Sequence, residues 1–223
     1  MKILRALIVT AVALSAPLAK ADGIFSIGQT VTVGESSINP NVIVNITVPI
    51  YSGGVYAGIN QLLINGSQIV NGFCIDPFHF SSTQSLSYTV VNLADAPKGD
   101  PLSNGTGMGA ASALTIEELW AAHYSPNMSA TNAATLQLAI WDVVGGSKFT
   151  TTSGLNLAAE TWINTANSGH GPAANLLGLT GSGQDYVVMA TPEPGSMTLL
   201  VAGLLALLVV MRKRIPLGQS QAS

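Results

Sequence analysis

The chain has 223 residues, 48% of them hydrophobic and 9% charged, with a single cysteine. One cysteine excludes an internal disulfide, and the length allows one good-sized domain plus signals. Eight basic against eleven acidic residues give a formal charge of −3 and leave no basic stripe for nucleic acid or an anionic surface.

Residues 1–21 carry Lys2 and Arg5, then an apolar run from Ala6 to Leu14, then the small-x-small site Ala19-Lys20-Ala21. That order predicts a secretory signal peptide, with Asp22 as the first mature residue. Residues 24–33, 41–50, 55–64, 69–76 and 86–93 are short runs rich in Val, Ile, Thr and Tyr, several of them alternating. They read as antiparallel strands. Turns are expected at Gly34-Glu35-Ser36-Ser37, Ser52-Gly53-Gly54 and Asn65-Gly66, the last being the best hairpin signal in the chain.

Residues 94–109 are rich in Pro, Gly, Asp and Asn and read as a surface loop. Thr115-Ile116-Glu117-Glu118 fits a capping box and predicts a helix to about Tyr124. A second helix is expected over 133–144, with Ser129 and Thr131 as candidate N-caps and Gly145-Gly146 as its end. At helical spacing Leu136, Ala139, Ile140 and Val143 share one face, and Gln137, Ile140, Trp141 and Val144 a neighbouring one. Gln137 is thereby placed at the edge of the core, where an unpaired amide would cost about 1–3 kcal/mol. A third helix over 155–166, a loop over 169–183 and a last strand over 185–190 returning to the sheet complete residues 22–190. The expected class is α+β, an antiparallel β-sandwich or barrel with an inserted helical subdomain.

Pro192-Glu193-Pro194 precedes an apolar run over 196–211 and the basic cluster Arg212-Lys213-Arg214. The run is slightly short against the ~20 residues that span a bilayer. This ordered trio, over residues 191–215, resembles the PEP-CTERM sorting signal of Gram-negative bacteria, with 216–223 as a tail. The resemblance implies an inner-membrane anchor through the C-terminal helix, then recognition of Pro192-Glu193-Pro194 by an exosortase and release to the cell surface or extracellular matrix. A plain C-terminal membrane anchor is the simpler alternative. Without the two ends, Lys98 and Lys148 remain against all eleven acidic residues, a formal charge of −9 that suits an exported, soluble domain.

Cys74 follows a strand-like run and precedes Ile75-Asp76-Pro77, where a strand end can present a side chain. Buried and inert is the common role of a free cysteine. The pattern Cys74-Ile75-Asp76 followed by Gln137-x-Ala139-Ile140-Trp141 resembles the Cys–Gln thioester domains of bacterial surface adhesins, with Leu136 standing where that family usually has Thr. The resemblance implies that Cys74 attacks the Gln137 side-chain amide, that ammonia leaves, and that an amine on a surface or matrix partner later opens the bond. Asp76 or His79 would assist proton transfer, and Trp141 is either a lid over the bond or a core residue. No turnover is expected, and no cofactor. His79, His123 and His170 lack ligand spacing, so no metal site is expected. The alternative is a non-catalytic structural matrix protein, associated with biofilm or exopolysaccharide, in which Cys74 is inert. An exported cysteine hydrolase is the third reading.

Overall fold

In the computed structural model, residues 24–82, 84–97, 105–169, 171–190 and 203 are described. The signal peptide, the Pro192-Glu193-Pro194 motif and the expected membrane helix over 196–211 lie outside the described residues, apart from Gly203. No helix among the described residues is long and apolar enough to cross a membrane.

Seven strands are present among the described residues: β1 Thr30–Val48, β2 Tyr51–Ile64, β3 Gln68–Cys74, β4 Leu86–Asn92, β5 Thr150–Thr151, β6 Leu176–Gly181 and β7 Tyr186–Met189. Between β4 and β6 lie the helices α1 Gly109–His123, α2 Ala130–Gly145 and α3 Asn156–Ser168. The strand order is β2-β3-β7-β6-β4-β1-β5, and β2 also pairs with β1, so six strands close into a ring and β5 extends it beyond β1. Every pairing is antiparallel. The observed class is α+β, an antiparallel barrel with a helical insertion, and the compact unit spans Phe25–Ala190.

The long β1 makes this closure possible. Its first residues pair with β4 from Thr30↔Thr89 to Val33↔Leu86, and from Val33 onward it pairs with β2. The register slips between Glu35 and Ser37 and between Ile38 and Asn41, adding a residue to β1 each time. Such bulges bend a strand and increase its twist. Residues 34–37, expected as a turn, therefore form a bent part of one continuous strand. Val31 and Val33 are buried on the early half, and Val44, Ile46 and Val48 on the late half, where they join the core cluster with the helices. The expected Asn65-Gly66 hairpin is present, with positive φ of 50° and 69°. Asn65 also accepts a hydrogen bond from Thr32 N at 2.9 Å through its side chain.

Two further departures have local causes. The first helix begins at Gly109, not at Thr115, which lies inside it and donates to Ala111 O at 3.2 Å and Asn167 Oδ1 at 2.8 Å. Residues 110–114 are mostly alanine and leucine and extend the helix to where Ala113 and Ile116 can enter the core. The stretch 176–181, inside the expected loop over 169–183, is strand β6 between β4 and β7. At Gly178 an added Cβ would lie 2.6 Å from Ala96 Cβ, so glycine marks a close approach, not a break.

Helix α2 starts at Ser129, whose side chain accepts from Asn132 N at 3.2 Å, and ends at Gly146 with φ of 50°. It packs against β1, β2 and β3 as well as the other two helices. Leu136, Ala139 and Ile140 are fully buried there. Leu136→Ala is expected to cost about 2–5 kcal/mol from lost transfer energy and the cavity left behind. Urea denaturation checks this as a lower midpoint at unchanged slope.

Candidate functional site: the Cys74–Gln137 pair

Cys74 is the last residue of β3. Ile75 N donates to Asp185 O at 3.0 Å, on the β7 side. Backbone groups alternate sides along a strand, so the N–H and C=O of Cys74 face the other neighbour, β2. The β2–β3 register stops at Asn60↔Gly72, however, and offers Cys74 no backbone partner. The side chain of Gln137 takes that place. Cys74 N donates to Gln137 Oε1 at 3.0 Å, and Gln137 Nε2 donates to Cys74 O at 2.7 Å. A primary amide from α2 thus completes the rung the sheet leaves open, with Cys74 2% and Gln137 1% exposed.

Asn60 and Glu35 extend this contact into the barrel. With its amide oriented to satisfy both neighbours, Asn60 donates to Glu35 Oε2 at 3.1 Å and accepts from Cys74 N at 3.2 Å. Tyr186 Oη donates to the same Glu35 oxygen at 3.1 Å. Burial raises the Glu35 carboxyl above its ordinary value, and the bond from Tyr186 opposes that rise.

The sulfur sits in a strongly apolar setting. Burial pushes the Cys74 thiol well above its ordinary range, and the neighbouring Asp76 charge adds to the effect. Trp141 Nε1–H meets no hydrogen-bond partner among the described residues, but lies near enough to the sulfur to oppose the shift in part. Asp76 N also donates to Cys74 Sγ at 3.2 Å. The Asp76 side chain is fully buried, accepting from Phe78 N at 3.1 Å and meeting His79 Nδ1 at 2.7 Å. Burial raises its pKa, and the pairing with His79 works against that rise.

A cavity of about 320 Å³ opens onto this group, lined by Cys74, Gln137, Trp141, Asn60, His79 and Gln184 together with apolar and aromatic residues of β1, β2 and the 77–81 segment. Phe80, Tyr56 and Ile50 of that lining are exposed. The structure therefore brings together Cys74, Gln137, Trp141 and His79, with Asp76 behind His79. His123 instead stacks on Trp162 at 3.8 Å between ring centres. No group of three or more His, Cys, Asp or Glu able to hold a metal ion is present among the described residues. Sequence reasoning missed Glu35 and Asn60. A signal existed for Glu35, because it falls on the same strand parity as the buried Val31 and Val33.

Residues 190–214 match the PEP-CTERM protein-sorting motif family. None of the curated proteins matches the chain. Among solved structures, the chain is similar to the N-terminal thioester domain of fibronectin-binding protein SfbI from Streptococcus pyogenes, at 12% identity and a TM-score of 0.44, over 73% of this chain and 94% of that one.

Gln137→Leu would strip the Cys74 carbonyl of its amide donor and leave its N–H to Asn60. A loss of about 1–3 kcal/mol for each buried group left unpaired is expected, read from chemical denaturation. A pH dependence also follows. Burial raises Glu35, Asp76, Glu117 and Asp142 above their ordinary values of 4.5, 3.8, 4.5 and 3.8. A carboxyl raised in the folded state favours folding below its unfolded value, and that stability is lost as pH rises toward its folded value. His123, lowered by burial from 6.5, works the other way as pH falls. The carboxyl contribution is therefore fully present below about pH 4 and declines as pH rises, and thermal midpoints across a pH series should show Glu35→Gln reducing that decline.

Proposed function

We infer that this chain, which carries the PEP-CTERM sorting signal of an exported surface protein, forms an internal thioester between Cys74 and Gln137 and uses it for covalent attachment to an amine-bearing partner. The observation that carries this reading is the buried Gln137 amide held at both ends, at the wall of a cavity, against the backbone of the residue whose thiol would attack it. In the reaction, Cys74 Sγ bonds to Gln137 Cδ, the Cδ–Nε2 bond breaks, and nitrogen leaves as ammonia with the thiol proton.

An amide is a poor electrophile and a buried thiol is a reluctant nucleophile, so the fold must supply the difference. Alignment of the reacting groups can contribute about 7 kcal/mol or more. Negative charge developing on Oε1 would fall on an oxygen that already accepts from Cys74 N, which acts as an oxyanion donor. Trp141 Nε1–H favours the thiolate that attacks. The burial of Cys74 and Gln137 limits the water that would hydrolyse the product. An amine on a matrix or surface partner then bonds to Gln137 Cδ, the Cδ–Sγ bond breaks, and the thiol is regenerated once, without turnover. The mature domain has only Lys98 and Lys148, which restricts reaction with itself.

The C-terminal segment gives this chemistry its place. In this reading the apolar run over 196–211 anchors the chain in the inner membrane of a Gram-negative cell until an exosortase acts at Pro192-Glu193-Pro194, after which the domain reaches the cell surface or matrix.

The same two hydrogen bonds also favour a second reading. As a satisfied structural rung, Gln137 would secure the end of β3, and Cys74, 2% exposed, would be inert in a matrix protein. Intact mass of the purified mature domain separates the two. The thioester reading expects a deficit of one ammonia, lost in Cys74→Ala and Gln137→Ala, and a methylamine adduct on treatment. Full mass, with Cys74 alkylated on unfolding and no adduct, would leave the structural reading.

A further inference from the structure

Strand β2 closes the barrel only with residues 60–64, which pair with β3. Its earlier part, residues 51–59, pairs with β1 on one side and with no strand on the other among the described residues. Asn65 N donates to Thr32 O of β1 at 2.9 Å, and Thr152 N donates at 3.3 Å to Asn45 O, whose residue lies opposite Gly54 but faces β5. Backbone groups alternate along a strand, so the even residues of β2 face away from β1. Gly54, Tyr56 and Gly58 thus aim N–H and C=O at an open edge. Gly54 O accepts from Tyr51 Oη at 3.0 Å, while the backbone groups of Tyr56 and Gly58 on that side have no partner among the described residues.

Strand β3 cannot supply one. Continued in register it would bring Asp76 opposite Tyr56 and Phe78 opposite Gly54, but Asp76 N donates to Cys74 Sγ and Phe78 N to Asp76 Oδ1. Pro77 between them has no N–H to give a ladder. The chain turns away, and the cavity of about 320 Å³ is left, lined by Gly54, Val55 and Tyr56 from the edge and by His79, Phe80 and Ser81 from the departing segment.

N–H and C=O groups recurring every two residues, about 6.8 Å apart, are matched by another extended backbone and not by a sugar or a lipid. A second copy fits poorly. Its own edge lies beside the same 79–81 segment, which Tyr51 ties to β2 through a ring contact with Phe80 at 5.6 Å, and two such sheets meet these segments before each other's strands. A single flexible strand meets no such obstacle. The formal charge of −9 without the two ends favours a strand carrying Lys or Arg.

We propose that residues 54–58 of β2 are a docking edge for an extended, basic segment of a partner polypeptide, which adds as an antiparallel strand in the place β3 vacates. It exchanges N–H···O bonds with Tyr56 and Gly58. This docking is non-covalent and needs neither the Cys74 thiol nor a thioester, so it goes beyond the reading above and is tested separately from it.

The probe is the end-blocked peptide Lys-Thr-Val-Thr-Val-Thr-Lys, added to the purified mature protein and to its Cys74→Ala variant, with amide hydrogen exchange followed by NMR. In both proteins the Tyr56 and Gly58 amides should slow about tenfold at about 1 mM peptide. The same peptide N-methylated at every internal residue should give no protection. Tyr56→Pro, which removes an outward N–H that an edge strand can spare, should abolish protection at Gly58, whereas Tyr56→Ala, which keeps that N–H, should retain it. Exchange unchanged by the peptide, equal protection by its methylated form, or a loss in Tyr56→Ala as complete as in Tyr56→Pro overturns the proposal. A dimer whose formation protects the same amides also overturns it, by giving the edge to a second copy. Because Cys74→Ala cannot form the thioester, failure of that reading leaves these results unchanged.

Discussion

The site depends on a rung of the β-sheet that is made by a side chain. Strand β3 runs two residues past the end of its ladder with β2, and Cys74 is left with a buried N–H and C=O on that side. Leaving both unpaired would cost several kcal/mol by the usual measure of buried polar groups. The Gln137 amide presents an N–H donor and a carbonyl acceptor side by side, and these satisfy both. Helix α2 must lie where Gln137 can do this, so the seating of the helical insertion on the sheet and the geometry of the pair share one cause.

The surroundings of that rung are tuned by burial more than by charge pairing. The Cys74 thiol, the Asp76 and Glu35 carboxyls and the Tyr186 hydroxyl are all shifted up, chiefly because the charged form would be poorly solvated. Such a site disfavours the charged forms relative to the same groups in water. The exposed aromatic residues at the cavity opening, Tyr56 and Phe80, bound the approach to it.

The β1 bulges link the fold to the site. They bend the strand so that its early half closes the barrel and its late half lies over α2. Glu35 sits at the first of these irregularities and Asn60 lies on β2 just where the ladder to β3 ends, so the Glu35–Asn60–Cys74 chain of contacts occupies the place where regular pairing stops. Polar groups gather there because interrupted ladders free backbone groups that need partners.

Local patterns in the sequence were enough for whatever depends on neighbours along the chain. Alternating β-branched runs marked most of β1 to β4 and β7, Asn65-Gly66 marked its hairpin, and Ser129 with Gly146 bounded α2, because strand parity, turn φ and capping are settled within a few residues. The Cys74 and Gln137 side chains could be singled out as unusual residue types at defined places on a strand end and a helix face. What only the tertiary structure decided rests on separations that no local pattern encodes. Gly178 looked like a loop residue until Ala96 was found against it, and Thr115 looked like a cap until the preceding turn was drawn into the core. The two hydrogen bonds that join Cys74 to Gln137, residues 63 positions apart that the sequence paired only through a resemblance, follow from where β2 stops pairing with β3, and that is fixed by the bent strand and the packed helix together.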